Sequence, residues 1–235
     1  MCRHAAWLGP PRSLTSLIHE PGYGLLRQSY APRLQRYGTV NADGFGIGWY
    51  NDATGPEPVR YRRAVPIWTD ANLPGLARAA RSGCLLAAVR SATVGMPIEE
   101  TATAPFADGP WLLSHNGRVE REAVRELADD AESSCDSAWL AAAVFVRRRL
   151  GHPLGDALAE VVVHAGTKDP EARLNLLACD GTSIAATVWG DTLFLRLDDG
   201  VLVASEPLDD RSGWQAVPER SLVLASPAGV RIQPL

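Results

Sequence analysis

The sequence predicts an α+β fold in which two antiparallel sheets face each other and helices cover their outer sides. Strand-like segments come first, helical segments follow, and a series of short strands ends the chain. Asp-Gly turns at Asp180-Gly181 and Asp199-Gly200 join two pairs of the late strands, and Asp-Gly is a strong signal of an antiparallel hairpin. A doubly wound parallel sheet is excluded, because it would alternate strands and helices throughout. No linker, repeat or low-complexity segment divides the chain, so we expect one domain spanning residues 2–235.

The first half of the chain is mainly extended. In order, we predict a strand over Arg3–Leu8, a helix around Ser13–His19, a loop over Pro21–Tyr37, a glycine-rich strand over Asp43–Tyr50, and its hairpin partner over Val59–Arg62. Apolar residues then recur with helical spacing over Asp70–Ser82, interrupted by Pro74-Gly75. The short apolar run Leu85–Val89 is typical of a buried strand.

The second half begins with a buried strand at Trp111–His115 and a tight turn predicted at Asn116-Gly117. Three helices are predicted to follow, over Glu120–Asp130, Ala138–Leu150 and Pro153–His164, with Asp136 and Ser137 placed to cap the second. The remaining strands are predicted at Arg173–Ala178, Ser183–Trp189, Thr192–Leu197, Val201–Ala204, Ser221–Ala225 and Val230–Gln233.

Composition excludes several classes of protein. A net charge of −4 without any long basic run argues against a nucleic-acid surface, and no stretch approaches the roughly 20 apolar residues of a membrane span. No basic and apolar leader precedes Cys2, so we expect a cytoplasmic protein. The four cysteines and five histidines lack metal-ligand spacing. We therefore expect free thiols, no metal and no cofactor, and the oligomeric state stays open.

Cys2 is the first candidate for chemistry. Removal of Met1 would leave a thiol and a free α-amine on one residue. Such a residue contains a nucleophile and its own base, because an α-amine can take up the thiol proton near neutral pH. Many chains begin Met-Cys by chance, however, so this interpretation depends on other residues.

Two strand ends offer such residues. Arg90 follows the buried strand Leu85–Val89, and its guanidinium can bind a carboxylate through two hydrogen bonds. The alternative is an arginine paired with an internal acidic side chain. Asn116 and Gly117 follow a second buried strand, and an Asn amide with a Gly N–H can form an oxyanion hole. The alternative there is an ordinary turn.

The segment Cys135-Asp136-Ser137 stands at a predicted helix start. A routine helix cap is one interpretation, and an acidic group that binds a substrate ammonium is the other. Together these segments describe a pocket for an amino acid, with Arg90 on its carboxylate, Asp136 on its α-ammonium and Cys2 on a carbonyl further along. The substrate they imply is a small γ-glutamyl amide.

These motifs resemble the class II glutamine amidotransferases, which are N-terminal nucleophile (Ntn) hydrolases. The matching residues occur in family order over about the first 150 residues: Cys2, Asp43-Gly-Phe-Gly-Ile-Gly-Trp49, Arg90-Ser-Ala-Thr-Val-Gly95, His115-Asn116-Gly117 and Asp136-Ser137. The resemblance implies a four-layer αββα sandwich, Cys2 as nucleophile with its α-amine as base, and Asn116 with Gly117 as oxyanion hole. It further implies a substrate-binding set made of Arg90, Thr93, Val94, His115, Asp136 and Ser137.

Two positions depart from the family pattern. Val94 stands where the arginine segment usually has His, and Ala138 stands where an acidic residue usually follows the clamp Asp. Neither departure removes a catalytic group, and both imply a pocket altered around the glutamyl moiety.

Within the family, the N-terminal third is similar to the γ-glutamyl-hercynylcysteine sulfoxide hydrolases of ergothioneine biosynthesis. The similar segments are Cys2-Arg3-His4, Trp7-Leu8-Gly9, Gln28-Ser-Tyr-Ala-Pro-Arg33 and Asn41-Ala-Asp-Gly44. The resemblance implies an amidohydrolase that releases glutamate and hercynylcysteine sulfoxide. Two alternatives stay open: a glutaminase subunit that supplies ammonia to a separate synthase, and a non-catalytic module that binds γ-glutamyl compounds.

Overall fold

The structure, a computed structural model, describes residues 2–51, 53 and 55–235. Two antiparallel sheets face each other, and helices cover both outer sides. The predicted fold class is therefore confirmed. The predicted removal of Met1 lies outside the described residues.

The strands differ from their predicted bounds mainly by extension at the ends. They are β1 (Arg3–Ser13), β2 (Phe45–Trp49), β3 (Val59–Arg63), β4 (Arg81–Val89), β5 (Phe106–Asp108), β6 (Trp111–Arg118), β7 (Arg173–Cys179), β8 (Ile184–Val188), β9 (Phe194–Leu197), β10 (Val201–Ala204), β11 (Gln215–Ala216), β12 (Ser221–Ser226) and β13 (Gly229–Pro234). The short strands β5 and β11 were not predicted.

The helices fall into two groups. The helices α1 (Thr15–Ile18), α2 (Leu25–Gln28) and α3 (Leu73–Ala79) cover the first sheet, whereas α4 (Asp136–Arg149) and α5 (Leu154–Lys168) cover the second. Among the described residues, none of the helices has both the length and the apolar character needed to cross a membrane.

The first sheet has the strand order β11-β9-β10-β1-β4-β2-β3, and the second has β13-β12-β8-β7-β6-β5. Strand β1 is central in the first sheet, with β4 on one side and β10 on the other. Strands β6 and β7 pair over seven residues in the second sheet. The starts of β1 and the ends of β4 and β6 provide the site residues described below.

Alternation along β1 shows how the layers form. Ala5 and Trp7 pack against α1, α2 and α3, whereas Ala6 and Leu8 face the second sheet. Successive side chains of a strand point to opposite faces, so one apolar strand supplies two separate cores. The second sheet and helices α4 and α5 enclose a third core. Three apolar cores between four layers explain why so many of the strands are buried on both faces.

The glycines of β2 are needed for close packing. A methyl group on Gly46 would lie 2.1 Å from the carbonyl oxygen of Ala104, and one on Gly48 would lie 2.5 Å from Leu112 Cδ1. Phe45 and Ile47, on the opposite face, belong to the core under the helices of the first sheet. The glycine-rich motif therefore lets one face of β2 approach the second sheet closely.

The predicted turn at Asn116-Gly117 is wrong, because β6 continues through both residues. Asn116 pairs with Asn175 and Gly117 pairs with Leu174 on the neighbouring strand. Asn-Gly favours a turn only where the chain has no better partner for its backbone groups. Here β7 supplies that partner, and the two residues are held on a strand.

Two helix predictions also need correction. The segment predicted as a helix over Glu120–Asp130 contains only two 3₁₀ turns, Arg121–Ala123 and Arg125–Leu127. The predicted capping of α4 is also wrong. Cys135 is the N-cap residue, it makes no side-chain capping bond, and Asp136 is already the first residue of the helix.

Candidate active site

The site lies at one end of the sandwich, where β1 begins and β4 and β6 end. His4 of β1 faces β6, and its Nδ1 lies 3.1 Å from Ser114 Oγ. Cys2 is two residues before His4, and Asn116 is two residues after Ser114. The alternation of the strands therefore brings the two predicted catalytic positions to the same end of the two sheets.

A small cavity brings together residues from five separate parts of the chain. Its lining includes Cys2, Arg90, His115 and Ser137, together with the stretch 102–104 before β5. Cys2 is half-buried, and its Sγ lies 3.9 Å from the carbonyl oxygen of Ser91. The thiol is thus accessible from a pocket that also contains a guanidinium.

The backbone of Arg90 is fixed by two hydrogen bonds, whereas its guanidinium makes few polar contacts. Its N–H donates to Gly44 O at 2.7 Å, and its carbonyl oxygen accepts from Asp43 N–H. The side chain is 8 % exposed, and its closest polar contact is the carbonyl oxygen of Asp43 at 3.5 Å. In the described part of the chain no ion pair involves Arg90. The guanidinium is therefore available for an anion that enters the cavity.

The side chain of Asn116 is fully buried, with its Nδ2 donating to Asp191 Oδ2 at 3.1 Å. A carboxylate only accepts hydrogen bonds, so this contact fixes which end of the amide is nitrogen. One N–H of the amide remains for another acceptor. Gly117 next to it tolerates no side chain, because a methyl group there would lie 1.8 Å from the carbonyl oxygen of Arg173.

His115 connects β6 to the start of α4. Its Nε2 lies 2.8 Å from the carbonyl oxygen of Arg173, and its Nδ1 lies 2.9 Å from Ser137 Oγ. Burial lowers the pKa of His115, and the charge of Asp136 offsets this only in part. The neutral ring therefore has its proton on Nε2, and Nδ1 accepts from the Ser137 hydroxyl. This pairing fixes the orientation of two residues that line the cavity.

The carboxylate of Asp136 is buried and oriented by backbone groups. Oδ2 accepts from Val119 N–H at 3.1 Å, and Oδ1 accepts from Ser137 N–H at 2.9 Å. A carboxylate has about four acceptor positions, so these two bonds leave room for a cationic ligand. Asp136 contributes negative charge near His115, although it does not line the cavity.

Thr93 and Val94 occupy an exposed turn beyond Arg90. Met96 N–H donates to Thr93 O at 2.9 Å and closes the turn. Val94 is fully exposed, and neither residue lines the cavity. The cavity therefore brings Cys2 together with three of the predicted site residues, Arg90, His115 and Ser137. Asn116, Gly117 and Asp136 are near these residues in the chain but are not part of the lining, and Thr93 and Val94 lie outside it.

Sequence reasoning missed the fully buried Arg3 and Asp191. Arg3 Nη2 lies 3.6 Å from Asp191 Oδ2, the oxygen that accepts from Asn116. Arg3 Nε also donates to Gln35 Oε1 at 3.2 Å. The position of Arg3 directly after Cys2 could have indicated a role near the site. No sequence signal pointed to Asp191, because it is 75 residues from Asn116 in the chain.

Comparison with known proteins identifies relatives that are more than 50 % identical over the whole chain. The γ-glutamyl-hercynylcysteine sulfoxide hydrolase of Mycobacterium tuberculosis (strain CDC 1551 / Oshkosh) is 53 % identical over 236 residues, covering 100 % of this chain and 97 % of that protein. No protein-family model matches the chain.

Solved structures show the same fold at lower identity. A glutamine aminotransferase class-II domain protein from Silicibacter pomeroyi has a TM-score of 0.71 at 24 % identity, over 99 % of both chains. A glutamine phosphoribosylpyrophosphate amidotransferase from B. subtilis has a TM-score of 0.73 at 17 % identity, over 100 % of this chain and 49 % of its own. Both support the sandwich described above.

Proposed function

Since the chain belongs to the family of γ-glutamyl-hercynylcysteine sulfoxide hydrolases, we propose that it hydrolyses the γ-glutamyl amide bond of γ-glutamyl-hercynylcysteine sulfoxide. The products are glutamate and hercynylcysteine sulfoxide, the latter leaving as the free amine. The observation that supports this most directly is the cavity shared by Cys2 and the unpaired guanidinium of Arg90.

In the proposed first step the α-amine of Cys2, free after removal of Met1, takes the thiol proton. The sulfur then forms a bond to the γ-carbonyl carbon, and the carbonyl oxygen becomes an oxyanion. When the oxyanion collapses, the carbon–nitrogen bond breaks and the leaving amine receives the proton from the Cys2 ammonium. Water then adds to the glutamyl thioester with the same amine as base, and glutamate leaves as the thiol is restored.

Three groups are proposed to hold the substrate. Arg90 binds the α-carboxylate of the glutamyl moiety, and Asp136 binds its α-ammonium. The Asn116 amide and the Gly117 N–H stabilise the oxyanion, since charge develops there in the transition state. His115 and Ser137 shape the pocket between them, supported by their mutual hydrogen bond. The substrate-binding roles of Thr93 and Val94 stay predictions. Both residues lie in a turn that would have to approach the substrate to contact it.

We also infer that residues 2–235 act as one domain. Strand β1 at the start of the chain pairs with β10 near its end, so neither half of the first sheet is complete alone. A cytoplasmic location is proposed as well, supported by four free cysteines, which are typical of a reducing compartment.

The decisive experiment replaces Cys2. We expect Cys2→Ala and Cys2→Ser to lower kcat by about 10³-fold or more, because removing a nucleophile abolishes the covalent route. Cys84→Ala is the matched control, since Cys84 is buried and lies outside the cavity. It should keep wild-type kcat.

Two further measurements separate the alternatives. γ-Glutamyl-hercynylcysteine sulfoxide and glutamine are supplied side by side, and comparable turnover of glutamine would favour an ammonia-supplying glutaminase. Intact-mass measurement shows whether Met1 is removed. An active protein that retains Met1 would refute the α-amine as base, and an unreactive wild type would favour the binding module.

A further inference from the structure

Asn116, the proposed oxyanion-hole residue, belongs to a polar network made of the buried Arg3, Asp191 and Asn116 and the half-buried Gln35. Arg3 and Asp191 have no exposed side-chain surface, and Asn116 and Arg3 are each fully buried. A buried charge pair gives weak stabilisation by itself, because desolvation offsets the attraction. The position of this pair, one residue after Cys2 and in direct contact with Asn116, suggests a different use.

The contacts at Asp191 fix its carboxylate on both sides. Oδ1 accepts from Thr192 N–H at 2.8 Å, and Oδ2 accepts from Asn116 Nδ2 at 3.1 Å. The guanidinium of Arg3 lies 3.6 Å from the same Oδ2, and its Nε donates to Gln35. Asp191 therefore has little freedom to move, and it holds the Asn116 amide in one orientation.

The geometry leaves Asn116 dependent on Asp191. Its Oδ1 is buried without a hydrogen-bond partner, so the contact to Asp191 is the only hydrogen bond found for its side chain in the described structure. Without that contact the amide could turn over, and its nitrogen would no longer have a fixed direction. An oxyanion hole acts through donors that are aimed before the reaction begins.

The network also connects β1 and β6, the strands that position Cys2 and Asn116. Arg3 belongs to β1 and follows Cys2, Asn116 belongs to β6, and Asp191 lies between β8 and β9. Burial lowers the pKa of Arg3, while the negative charges of Asp191 and Glu206 oppose the shift. The positive charge of Arg3 thus lies next to Cys2 in the chain and near the carboxylate that binds the Asn116 amide.

We propose that Asp191, held by the Thr192 N–H and by the nearby charge of Arg3, is a positioning residue that aims the Asn116 amide at the substrate oxyanion. This inference rests on the proposed function, because it assumes that Asn116 stabilises an oxyanion formed by attack of Cys2. Asp191 touches neither the substrate nor the sulfur and acts through Asn116.

A double-mutant cycle tests the proposal on γ-glutamyl-hercynylcysteine sulfoxide. Loss of one oxyanion donor typically costs about 10²–10³-fold in kcat, so we expect Asp191→Ala to lower kcat by about 10–100-fold with KM changed less than about threefold. In an Asn116→Ala background the same substitution should change kcat by less than about twofold. Asp191→Asn keeps an acceptor oxygen and should retain intermediate activity.

Asp209→Asn is the matched control. Asp209 is the partner of the buried Arg196 at 2.8 Å and lies outside the cavity, so its loss disturbs a comparable ion pair without reaching Asn116. Its kcat should equal that of the wild type. If Asp191→Ala does not fold, Asp191→Asn takes its place in the cycle.

Unchanged kcat in the Asp191 variant, or the same loss with and without Asn116, would overturn the proposal. Cys2→Ser is measured in the same assay. If Cys2→Ser stays active, the proposed mechanism fails. If it is inactive while the two substitutions are additive, only the role of Asp191 fails.

Discussion

Arg3 begins β1 directly after Cys2, and Arg90 directly follows the neighbouring strand β4, yet their surroundings differ. Arg3 pairs in register with Val89, the residue before Arg90. Arg3 is fully buried and lies 3.6 Å from the carboxylate of Asp191. Arg90 is 8 % exposed, and its guanidinium donates to a backbone oxygen at 3.5 Å. Among the described residues Arg3 has a carboxylate within 4 Å, whereas Arg90 lines a cavity and forms no ion pair, although its charge helps to lower the pKa of Glu99.

This difference separates two uses of the same side chain. A guanidinium with a buried carboxylate partner is part of the folded structure, and removing it leaves that carboxylate unpaired. A guanidinium without a partner contributes little to folding and can bind an incoming carboxylate through two hydrogen bonds. The sequence predicted a role for Arg90 and overlooked Arg3, because the availability of a partner is a property of the fold.

The largest effect on stability is expected for Arg3→Met. It leaves Asp191 buried without its cation, and breaking a buried pair in this way costs about 3–5 kcal/mol. Urea unfolding gives the change in the free energy of unfolding. Arg3→Met/Asp191→Leu, which removes both charges, should recover most of the loss. Wild-type stability in Arg3→Met would show that the ion pair does not hold this end of the sandwich.

Arg90→Met should show the reverse behaviour. The substitution breaks no ion pair among the described residues, so we expect the free energy of unfolding to change by less than about 1 kcal/mol. The fall in kcat/KM should be about 10–100-fold and mainly in KM, since a hydrogen bond to a charged group contributes about 1.5–3 kcal/mol and the α-carboxylate does not react.

Arg90→Lys sharpens this comparison of function. It keeps the charge but loses the planar pair of donors, so it should recover only part of the affinity. A strong loss of stability in Arg90→Met with unchanged KM would contradict the assignment of Arg90 to the substrate.

The sequence predicted the arrangement of layers because hydrophobic alternation and hairpin turns depend on local residues. It did not predict the local conformation of Asn116 and Gly117, the residues proposed to form the oxyanion hole. Asn116-Gly117 favours a turn in isolation, but both residues extend β6 in register with β7. Tertiary pairing decides such a segment, and the partner strand is more than 50 residues away in the chain.

The segment after β6 illustrates a second reason. Glu120–Asp130 consists largely of good helix formers, but helices this short are marginal without packing. Two aspartates at its end also oppose the helix dipole. In the structure, Val119 N–H is bound by Asp136 and Glu120 N–H by Asp169. These side chains hold the start of the segment in another conformation, and neither contact can be inferred from spacing.

His4, the residue after Arg3, is also buried and should make the stability of the fold sensitive to acid. Burial, with smaller contributions from the charges of Arg3 and His115, lowers the pKa of His4 from its ordinary value of 6.5 to about 3. Between these two values the unfolded chain binds a proton that the folded chain does not. Stability is therefore highest above pH 6.5 and falls as the pH drops towards 3.

His4→Gln isolates this effect. From pH 6.5 to 5.5 the wild type should lose about 1 kcal/mol more stability than the variant, as linkage gives for one histidine over that range. Urea unfolding at both pH values provides the measurement, and carboxyl groups titrate little in this interval. Equal losses in the two proteins would show that His4 binds its proton in the folded state.

The smallest effect is expected in the turn beyond Arg90. Thr93 and Val94 are both exposed and lie outside the cavity, so neither substitution removes a buried side chain. We expect Val94→Ala and Thr93→Ala to change stability by less than about 0.5 kcal/mol, and KM should change by no more than about threefold in each. A rise in KM of tenfold or more, at unchanged stability, would show that the turn closes over the glutamyl moiety when substrate binds. In that case Arg90 would share the substrate with its own loop, and the contrast with Arg3 would extend from one side chain to a whole segment.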